Sequence, residues 1–374
     1  MKFIINSQLL VKKLQALNSV INSSNTLPIL DDFLFELKDS KLFITASDLE
    51  TTMIMELEPS MSSEDGRVTL NAKLLIEFLK YLPDAPVTFT VDPDNLGVEV
   101  LSTDGKYRMV GHDADEYPSL PLLSNTSVVE FPSSVLASAI NKTVFATGND
   151  ELRPVMGGVF FELTPDYSTF VATDAHKLVR YRRTDIKPEN AADFIIPRKP
   201  LNVLKNLLVA ADVPVKVEYN VTNVAFTFDG VVLYSRLIEG KYPAYEAVIP
   251  KDNKNKLIVD RLNFINSVKR LTPFANQSTH QVRLRITGQE LVMNAEDIDY
   301  SNEGAERLSC NYTGEDLEIG FNSKFLLDTI SNLDSEEIQF MLSGPTRAGI
   351  ILPVNNDNAD EDILMLVMPV MLAQ

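Results

Sequence analysis

The chain has 374 residues, 45% of them apolar, and a formal net charge of −18. This length exceeds what a single hydrophobic core serves, so we expect two or three domains. The longest apolar stretches are far shorter than the roughly 20 residues of a membrane-spanning helix, and a single cysteine, Cys310, excludes an internal disulfide. Because the N-terminal segment lacks the features of a secretory signal, the sequence predicts a cytoplasmic protein.

Six amphipathic segments at regular steps predict six helices. They begin near residues 7, 71, 132, 197, 260 and 322, and each carries Leu or Phe at helical spacing. Ser or Asn precedes several of them as an N-cap. Pro132, Pro197 and Pro200 lie where the first turn of a helix tolerates proline.

Runs of alternating apolar and polar residues between the helices predict strands. Examples are KLFITASDLE from Lys41, VTFTVD from Val87, GVFFEL from Gly158 and IQFML from Ile338. Each helix is accompanied by about four such runs, separated by turn sequences. The simplest architecture that buries this pattern is α+β, with antiparallel sheets that carry helices on one face.

A long repeat divides the chain into three similar parts. The motif Ala-x-Asp follows an alternating run at Ala46, Ala172 and Ala295, and the helical segments keep the same register. The period is near 125 residues, which predicts three like domains. We expect their limits at 1–122, 128–250 and 251–374.

The middle copy of the motif, in FVATDAHKLVRYRR, invites a catalytic interpretation of Asp174 and His176. A repeat-built hydrolase with this pair would need a dedicated nucleophile, and the sequence shows none. Because the aspartate recurs in all three copies, we interpret it as structural, with its carboxylate accepting backbone N–H groups of a turn. Metal and nucleotide motifs are absent from the sequence, so we expect no catalytic residue, metal or cofactor.

Positive charge is concentrated in the six helical segments. They carry twelve bases and three acids, a net charge of +9, which leaves −27 for the rest of the chain. Basic helices on acidic domains predict a surface for a polyanion. Aromatic residues are poorly interleaved with these bases, so we expect contacts to a duplex backbone without sequence preference rather than base stacking. The bases expected to face DNA are Lys12, Lys13, Lys73, Lys80, Lys142, Arg198, Lys199, Lys205, Lys269 and Arg270.

The whole chain resembles the bacterial DNA polymerase III β subunit family, the sliding clamps. The segments MKFIINSQLL, TLPIL, SDLE, ATDAHKL, IPRK, GKYPAYEAVIP, IGFN and VMPVML stand in the order and spacing of that family. The resemblance implies a ring-shaped head-to-tail homodimer of the clamp fold, which encircles double-stranded DNA, slides and lacks catalytic activity. It also implies binding to the replicative polymerase, the clamp loader and other clamp-binding proteins. A monomeric clamp-like scaffold that binds peptides without encircling DNA is the alternative.

The resemblance further implies a pocket that captures short partner peptides. Ala175 stands where the family usually has glycine, Met371 replaces a common arginine, and Ala373 and Gln374 extend the tail, which bears on partner preference. The residues implied in the pocket are Met156, Thr173, Ala175, His176, Lys177, Leu178, Pro243, Val248, Asn322, Phe325, Thr346, Val367, Met368, Pro369, Val370, Met371 and Leu372.

For the dimer, the end of the first domain and the start of the third provide complementary surfaces. Two bases flank apolar residues in DGKYRMVG, and acids accompany an aromatic residue in the third domain. The residues expected at this interface are Lys106, Tyr107, Arg108, Met109, Phe274, Asp299, Glu303 and Glu306.

Overall fold

The computed structural model describes residues 1–120, 123–208, 213–355 and 358–372. Leu122, the expected end of the first domain, and Ala373 and Gln374 of the tail lie outside these residues. The longest helices of the described residues have 11 residues. None of them has the length and apolar character needed to cross a membrane.

All six predicted helices are present in the described chain, and each begins within one residue of its expected position. Asn6, Asn71 and Asn322 are N-caps whose side chains accept a backbone N–H of the first turn. Asp260, one of the three acids of the helical segments, caps its helix in the same way and precedes it. The helices are α1 (Ser7–Leu17), α2 (Ala72–Leu79), α3 (Ser133–Thr143), α4 (Arg198–Leu208), α5 (Arg261–Leu271) and α6 (Ser323–Ile330).

The strands follow the alternating runs, because period-2 sequences bury one side of each strand. The first third of the chain contains β1 (Lys2–Asn6), β2 (Asp32–Lys38), β3 (Lys41–Ser47), β4 (Thr51–Leu57), β5 (Met61–Ser63), β6 (Gly66–Asn71), β7 (Pro86–Val91), β8 (Gly97–Leu101) and β9 (Lys106–Val110). The middle third contains β10 (Ser127–Pro132), β11 (Gly158–Leu163), β12 (Ser168–Thr173), β13 (Lys177–Arg183), β14 (Ala192–Pro197), β15 (Pro214–Tyr219), β16 (Asn223–Phe228) and β17 (Val231–Arg236). The last third contains β18 (Asn255–Asp260), β19 (Gln281–Thr287), β20 (Glu290–Asp297), β21 (Asn302–Ser309), β22 (Asn311–Thr313), β23 (Leu317–Asn322), β24 (Glu337–Leu342), β25 (Gly349–Pro353), β26 (Glu361–Val367) and β27 (Pro369–Val370).

Contacts divide the chain into two compact units. Unit 1 comprises Met1–Ala137 and Lys199–Leu237, and unit 2 comprises Ser138–Arg198 and Ile238–Gln374. Each unit therefore contains one complete outer repeat and part of the middle one. The repeat and the compact unit are different divisions of the same chain.

Each unit has one large and one small antiparallel sheet. In unit 1 the strand orders are β10-β15-β16-β17-β4-β3-β2-β6 and β5-β1-β7-β8-β9. In unit 2 they are β14-β11-β12-β13-β26-β25-β24-β18-β22 and β21-β20-β19-β23-β27. The large sheets join two repeats through equivalent strand pairs, β4 with β17 in unit 1 and β13 with β26 in unit 2.

The cores lie between the helices and the sheets. In unit 1, Phe3 stacks on Phe89 with ring centroids 4.9 Å apart, and Leu10 and Leu14 of α1 are fully buried. In unit 2, Phe264 of α5 packs against Phe340 of β24 at 5.2 Å. Each buried side chain of this size contributes roughly 1.5–3 kcal/mol.

Candidate functional site

The turn at residues 174–177, between β12 and β13, is held by the carboxylate of Asp174. Its Oδ1 accepts the backbone N–H groups of His176 at 2.9 Å and Lys177 at 2.8 Å. Its Oδ2 accepts the Lys177 ammonium at 2.7 Å. Both oxygens thus stabilise the turn, which confirms the structural interpretation of Asp174.

The same carboxylate pattern occurs in the other two repeats. Asp48 Oδ1 accepts the backbone N–H groups of Glu50 at 3.0 Å and Thr51 at 2.6 Å. Asp297 Oδ1 accepts the N–H of Asp299 at 3.2 Å. The repeated Ala-x-Asp motif therefore encodes a local turn in every copy, as the sequence predicted.

His176 and Lys177 face the first turn of α6. The His176 ring stacks on Phe325 with centroids 5.4 Å apart and 18° between the planes. The Lys177 ammonium lies 4.8 Å from the centroid of the same ring and 3.7 Å from an Asp328 carboxylate oxygen. Lys177 is only 6% exposed, so its charge is compensated inside the site rather than offered at the surface.

The tail, residues 367–372, passes beside this turn. Val367 pairs with Lys177 in the large sheet, and the Met368 N–H donates to the His176 carbonyl at 2.8 Å. The chain then changes sheets, since Pro369 and Val370 pair with β23. Met368 and Met371 remain exposed, by 40% and 78%. The structure thus brings together the turn, the tail and Phe325.

A linker, residues 238–250, contributes further residues to the candidate site. Tyr242 stacks on Phe160 at 4.7 Å, and the Tyr245 hydroxyl donates to Glu162 at 2.7 Å. Burial raises the pKa of both tyrosines, and the Glu162 carboxylate raises that of Tyr245 further. Leu178 joins Tyr242 and Tyr245 in one apolar cluster. This anchoring holds Pro243 half-buried and leaves Val248 exposed.

Not every residue implied in the pocket has an accessible side chain. Thr173, Leu178 and Val367 are at most 6% exposed and, with Lys177, lie beneath the surface. The side chain of Asn322 already makes hydrogen bonds within the chain, because its Oδ1 caps α6 and its Nδ2 donates to the Thr279 carbonyl at 2.9 Å. The Met156 carbonyl accepts the Gly148 N–H at 2.7 Å, and Gly148 lies against Asp174 of the turn. Thr346 is exposed on the loop between β24 and β25, and Leu372 is half-buried against Gly320.

The basic residues of the helices fall into two groups. Lys12, Lys73, Lys80, Arg198 and Lys269 are exposed, and Lys13 and Lys205 are partly exposed. Among the residues that the structure describes, no carboxylate lies within ion-pair distance of these seven. Their positive charge is therefore available to a polyanion.

Three other helical bases are engaged inside their own unit, contrary to expectation. Lys142 is 13% exposed in its side chain and contacts Glu361 at 2.8 Å and Asp334 at 3.0 Å. Lys199 donates to the Asp48 carboxylate at 2.5 Å and to the Val20 carbonyl at 2.5 Å. These lysines occupy ion pairs because their helices end or begin beside acidic turns, which periodicity alone does not reveal.

Arg270 is the third such base. Its Nε lies 2.5 Å from Glu306 Oε1, in a surface pair with 61% of the Arg270 side chain exposed. The assignments of Arg270 to DNA and of Glu306 to a partner chain stay predictions. Hydrogen bonding to Arg270 lowers the pKa of the Glu306 carboxyl. The pair forms because Glu306 points from β21 toward α5, on the inner side of its strand.

The other residues expected at the dimer interface lie on or near sheet edges. β9 is an edge strand of unit 1, where Lys106 and Arg108 flank Glu99 at 2.7 and 3.3 Å and Tyr107 packs on Phe78 at 4.5 Å. Met109 of this strand is partly exposed. β21 is an edge strand of unit 2, and Asp299, Glu303 and Phe274 near it are exposed.

Comparison with known proteins matches almost the whole chain. Family models of the DNA polymerase III beta subunit match residues 1–121 as the N-terminal domain, 130–244 as the central domain and 246–369 as the C-terminal domain. The chain is 30% identical over 396 residues to the beta sliding clamp of Synechocystis sp., with all of both chains covered. The chain belongs to the DNA polymerase III beta subunit family.

Two further relatives support the family's fold. The beta sliding clamp of Bacillus subtilis is 29% identical over 385 residues, with 99% of each chain covered. A crystal structure of the sliding clamp from Pseudomonas aeruginosa superposes with a TM-score of 0.94 at 26% identity, with all of both chains covered. The α+β fold with three repeated clamp domains is thus confirmed.

The backbone of Ala175 has a conformation that is uncommon for a residue with a side chain. Its φ is 73°, in the left-handed region that favours glycine. Leu49 has a φ of 76° at the matching position of the first repeat. Both residues are first in a two-residue turn whose geometry favours glycine, so each turn is locally strained.

Sequence reasoning missed several residues that support the site. Asp328 approaches Lys177, and Tyr245 and Ala348 belong to the cluster around Leu178. A sequence signal existed for the linker tyrosines, because both lie in the segment GKYPAYEAVIP and the Tyr-Pro pair at Tyr242 repeats at Tyr117. Tyr117 is likewise buried, with a raised pKa caused by burial.

Proposed function

We propose that this chain is a non-catalytic processivity factor of DNA replication. Two copies join head to tail in a ring that encircles duplex DNA, slides along it and tethers the replicative polymerase through the site around His176. The clamp loader and other clamp-binding proteins would use the same site.

The observation that carries this proposal is the contrast between the helices, where seven bases lack an ion-pair partner in the described chain, and β13, where the bases are paired. On β13, Arg180 contacts Asp362 at 2.6 Å, Arg182 contacts Glu246 at 3.5 Å and Arg183 contacts Asp185 at 2.6 Å. The exposed helical bases have no such partners in the described chain. Phosphates therefore meet uncompensated charge at the helices, while ion pairs neutralise the bases of this strand.

The partner site favours a peptide with apolar anchors. Met368 and Met371 of the tail and Val248 of the linker are exposed apolar side chains. Methionine adapts to anchors of varied shape, which suits a site shared by several partners. A peptide with glutamine, leucine and a terminal aromatic residue fits this chemistry, its anchors packing against methionine and proline.

The geometry of Asp174 and His176 disfavours a hydrolase. Asp174 directs its carboxylate to the backbone and Lys177, while the His176 ring faces Phe325. An aspartate that orients a catalytic histidine would instead accept a ring N–H. A nucleophile in reach of His176 would be needed as well.

The test of DNA encirclement is retention on circular DNA. A variant with glutamate substituted at four helical lysines should be retained less on nicked circular DNA, and its retention should depend less on salt. The four positions are Lys12, Lys13, Lys73 and Lys205. Lys199 is left unchanged because its ion pair with Asp48 is structural. The control carries the same charge change at four exposed lysines outside the helices, Lys38, Lys187, Lys251 and Lys254.

The control variant should keep wild-type retention. Equal retention by the wild type and the helix variant would contradict a DNA-lined channel. Release of the wild type from closed circles as readily as from linear DNA would contradict encirclement. A single-chain mass by light scattering, together with intact peptide binding, would favour the monomeric scaffold.

A further inference from the structure

Tyr81 is an aromatic side chain left in solvent at the end of α2. It is 82% exposed, although burial of an aromatic ring stabilises a fold strongly. The ammonium of Lys80 lies 5.8 Å from the centroid of its ring. The ring therefore has an accessible face beside a positive charge.

The same side of the helix pair carries further positive charge. Lys73, Glu77, Lys80 and Tyr81 follow the i, i+4, i+7, i+8 spacing that places residues on one helix face. The exposed residues of α1, which packs against α2, include Lys12. Against Lys12, Lys73 and Lys80, the acids along this stretch are Glu77 and the exposed Asp84, so the surface around Tyr81 has a small excess of positive charge.

The backbone that carries Tyr81 is held firmly. The Tyr81 N–H donates to the Phe78 carbonyl at 3.3 Å. The two carbonyls that follow Tyr81 accept side chains of α1: Gln8 donates to Leu82 at 3.1 Å and Ser7 donates to Pro83 at 2.6 Å. Leu82 itself is buried. A ring on such a support loses little conformational freedom when a ligand stacks on it.

We propose that Tyr81 stacks on an unpaired base of single-stranded DNA, whose phosphates contact Lys80 and the neighbouring lysines of α1 and α2. This rests on the proposed function, because the same face would meet DNA. An exposed ring within a basic surface is the arrangement that binds single strands without sequence preference. It also revises our expectation that base stacking plays no part. The excess of the three lysines over Glu77 and Asp84 favours nucleic acid over a protein partner.

The test compares single-stranded and duplex DNA. Labelled oligothymidylate and a duplex of equal length are titrated at low salt, and fluorescence anisotropy is measured. Tyr81→Ala should weaken oligothymidylate binding at least about fivefold, while Tyr81→Phe stays close to wild type because it keeps the ring. Duplex affinity should be the same for all three proteins. Tyr300→Ala, at another exposed tyrosine, should have no effect.

A second measurement reports stacking directly. An oligonucleotide with one 2-aminopurine should lose fluorescence on binding to wild type and Tyr81→Phe, but not to Tyr81→Ala. The chain has no tryptophan, so no tryptophan fluorescence overlaps the 2-aminopurine signal. Unchanged oligothymidylate binding by Tyr81→Ala would overturn the inference.

Two other outcomes separate this inference from its premise. Weakened polymerase stimulation by Tyr81→Ala with intact oligothymidylate binding would also overturn it and assign the residue to a protein contact. Failure of the wild type to be retained on circular duplex would contradict the proposed function, whereas Tyr81-dependent stacking would still be detected by the 2-aminopurine signal.

Discussion

His176 and Phe325 stack with their ring planes 18° apart and their centroids 5.4 Å apart. The two residues are far apart in sequence, and the contact joins the turn after β12 to the first turn of α6. Behind the stack lies Lys177, whose ammonium is 4.8 Å from the centroid of the Phe325 ring. Phe325 therefore closes the site over a compensated charge.

Removal of this ring should impair peptide binding. Phe325→Ala takes away an apolar surface and exposes Lys177 to water, so we expect affinity for the clamp-binding peptide to fall about tenfold or more. Calorimetric titration measures this. Leu152→Ala, at a 91% exposed residue of the same unit, should leave affinity unchanged. Undiminished peptide binding by Phe325→Ala would show that the Phe325 ring is not part of the peptide-binding site.

Relief of strain in the turn should stabilise unit 2. Ala175→Gly suits a φ of 73°, and we expect the free energy of unfolding to rise by about 1 kcal/mol. Leu49→Gly should act in the same direction in unit 1. Ala247→Gly, where φ is not positive, should instead destabilise by about 0.5–1 kcal/mol. Chemical denaturation checks all three, and destabilisation by Ala175→Gly would show that the turn is not strained.

Lys142 should affect stability rather than DNA binding. Lys142→Ala removes the ammonium that lies 2.8 Å from Glu361, whose carboxylate keeps the Tyr181 hydroxyl at 2.9 Å. Loss of this charged hydrogen bond should cost about 2 kcal/mol. Lys12→Ala should do the reverse, with weaker DNA retention and unchanged stability. A loss of retention without a loss of stability in Lys142→Ala would restore Lys142 to the DNA-facing set.

The contribution of Lys142 should also depend on pH. Burial lowers its pKa, but hydrogen bonds to Glu361 and Asp334 outweigh burial and raise it overall. A raised folded-state pKa gives stability that is fully present below the unfolded value of about 10.4 and lost as pH rises through the folded value. As pH rises from neutral, the difference in unfolding free energy between wild type and Lys142→Ala should therefore stay constant until strongly alkaline solution and shrink there.

The dimer should depend on the β9 edge. Met109→Asp places a buried charge in the proposed contact with β21 of a second chain, so light scattering should give the single-chain mass of 41.7 kDa. Met61→Asp is the matched control, because β5 is the opposite edge of the same sheet and Met61 is 66% exposed. A dimer mass for Met109→Asp would exclude this interface.

The sequence by itself determined the local structure. The six helices, the alternating strands and the Asp48, Asp174 and Asp297 turns depend on neighbours within a few residues, so periodicity and turn chemistry predict them. The repeat of about 125 residues likewise predicted three similar domains. The resemblance to the family predicted a partner site around His176.

Only the tertiary structure decided which charges are free. Lys142, Lys199 and Arg270 lie on helices like the other bases, yet Glu361, Asp48 and Glu306 compensate them. These partners are between 36 and 219 positions away in sequence, where sheet pairing and helix packing bring them together. Tyr81 shows the converse, since its exposure depends on what the packing of α1 and α2 leaves uncovered. Helical spacing specifies a face, but only long-range packing determines what that face meets.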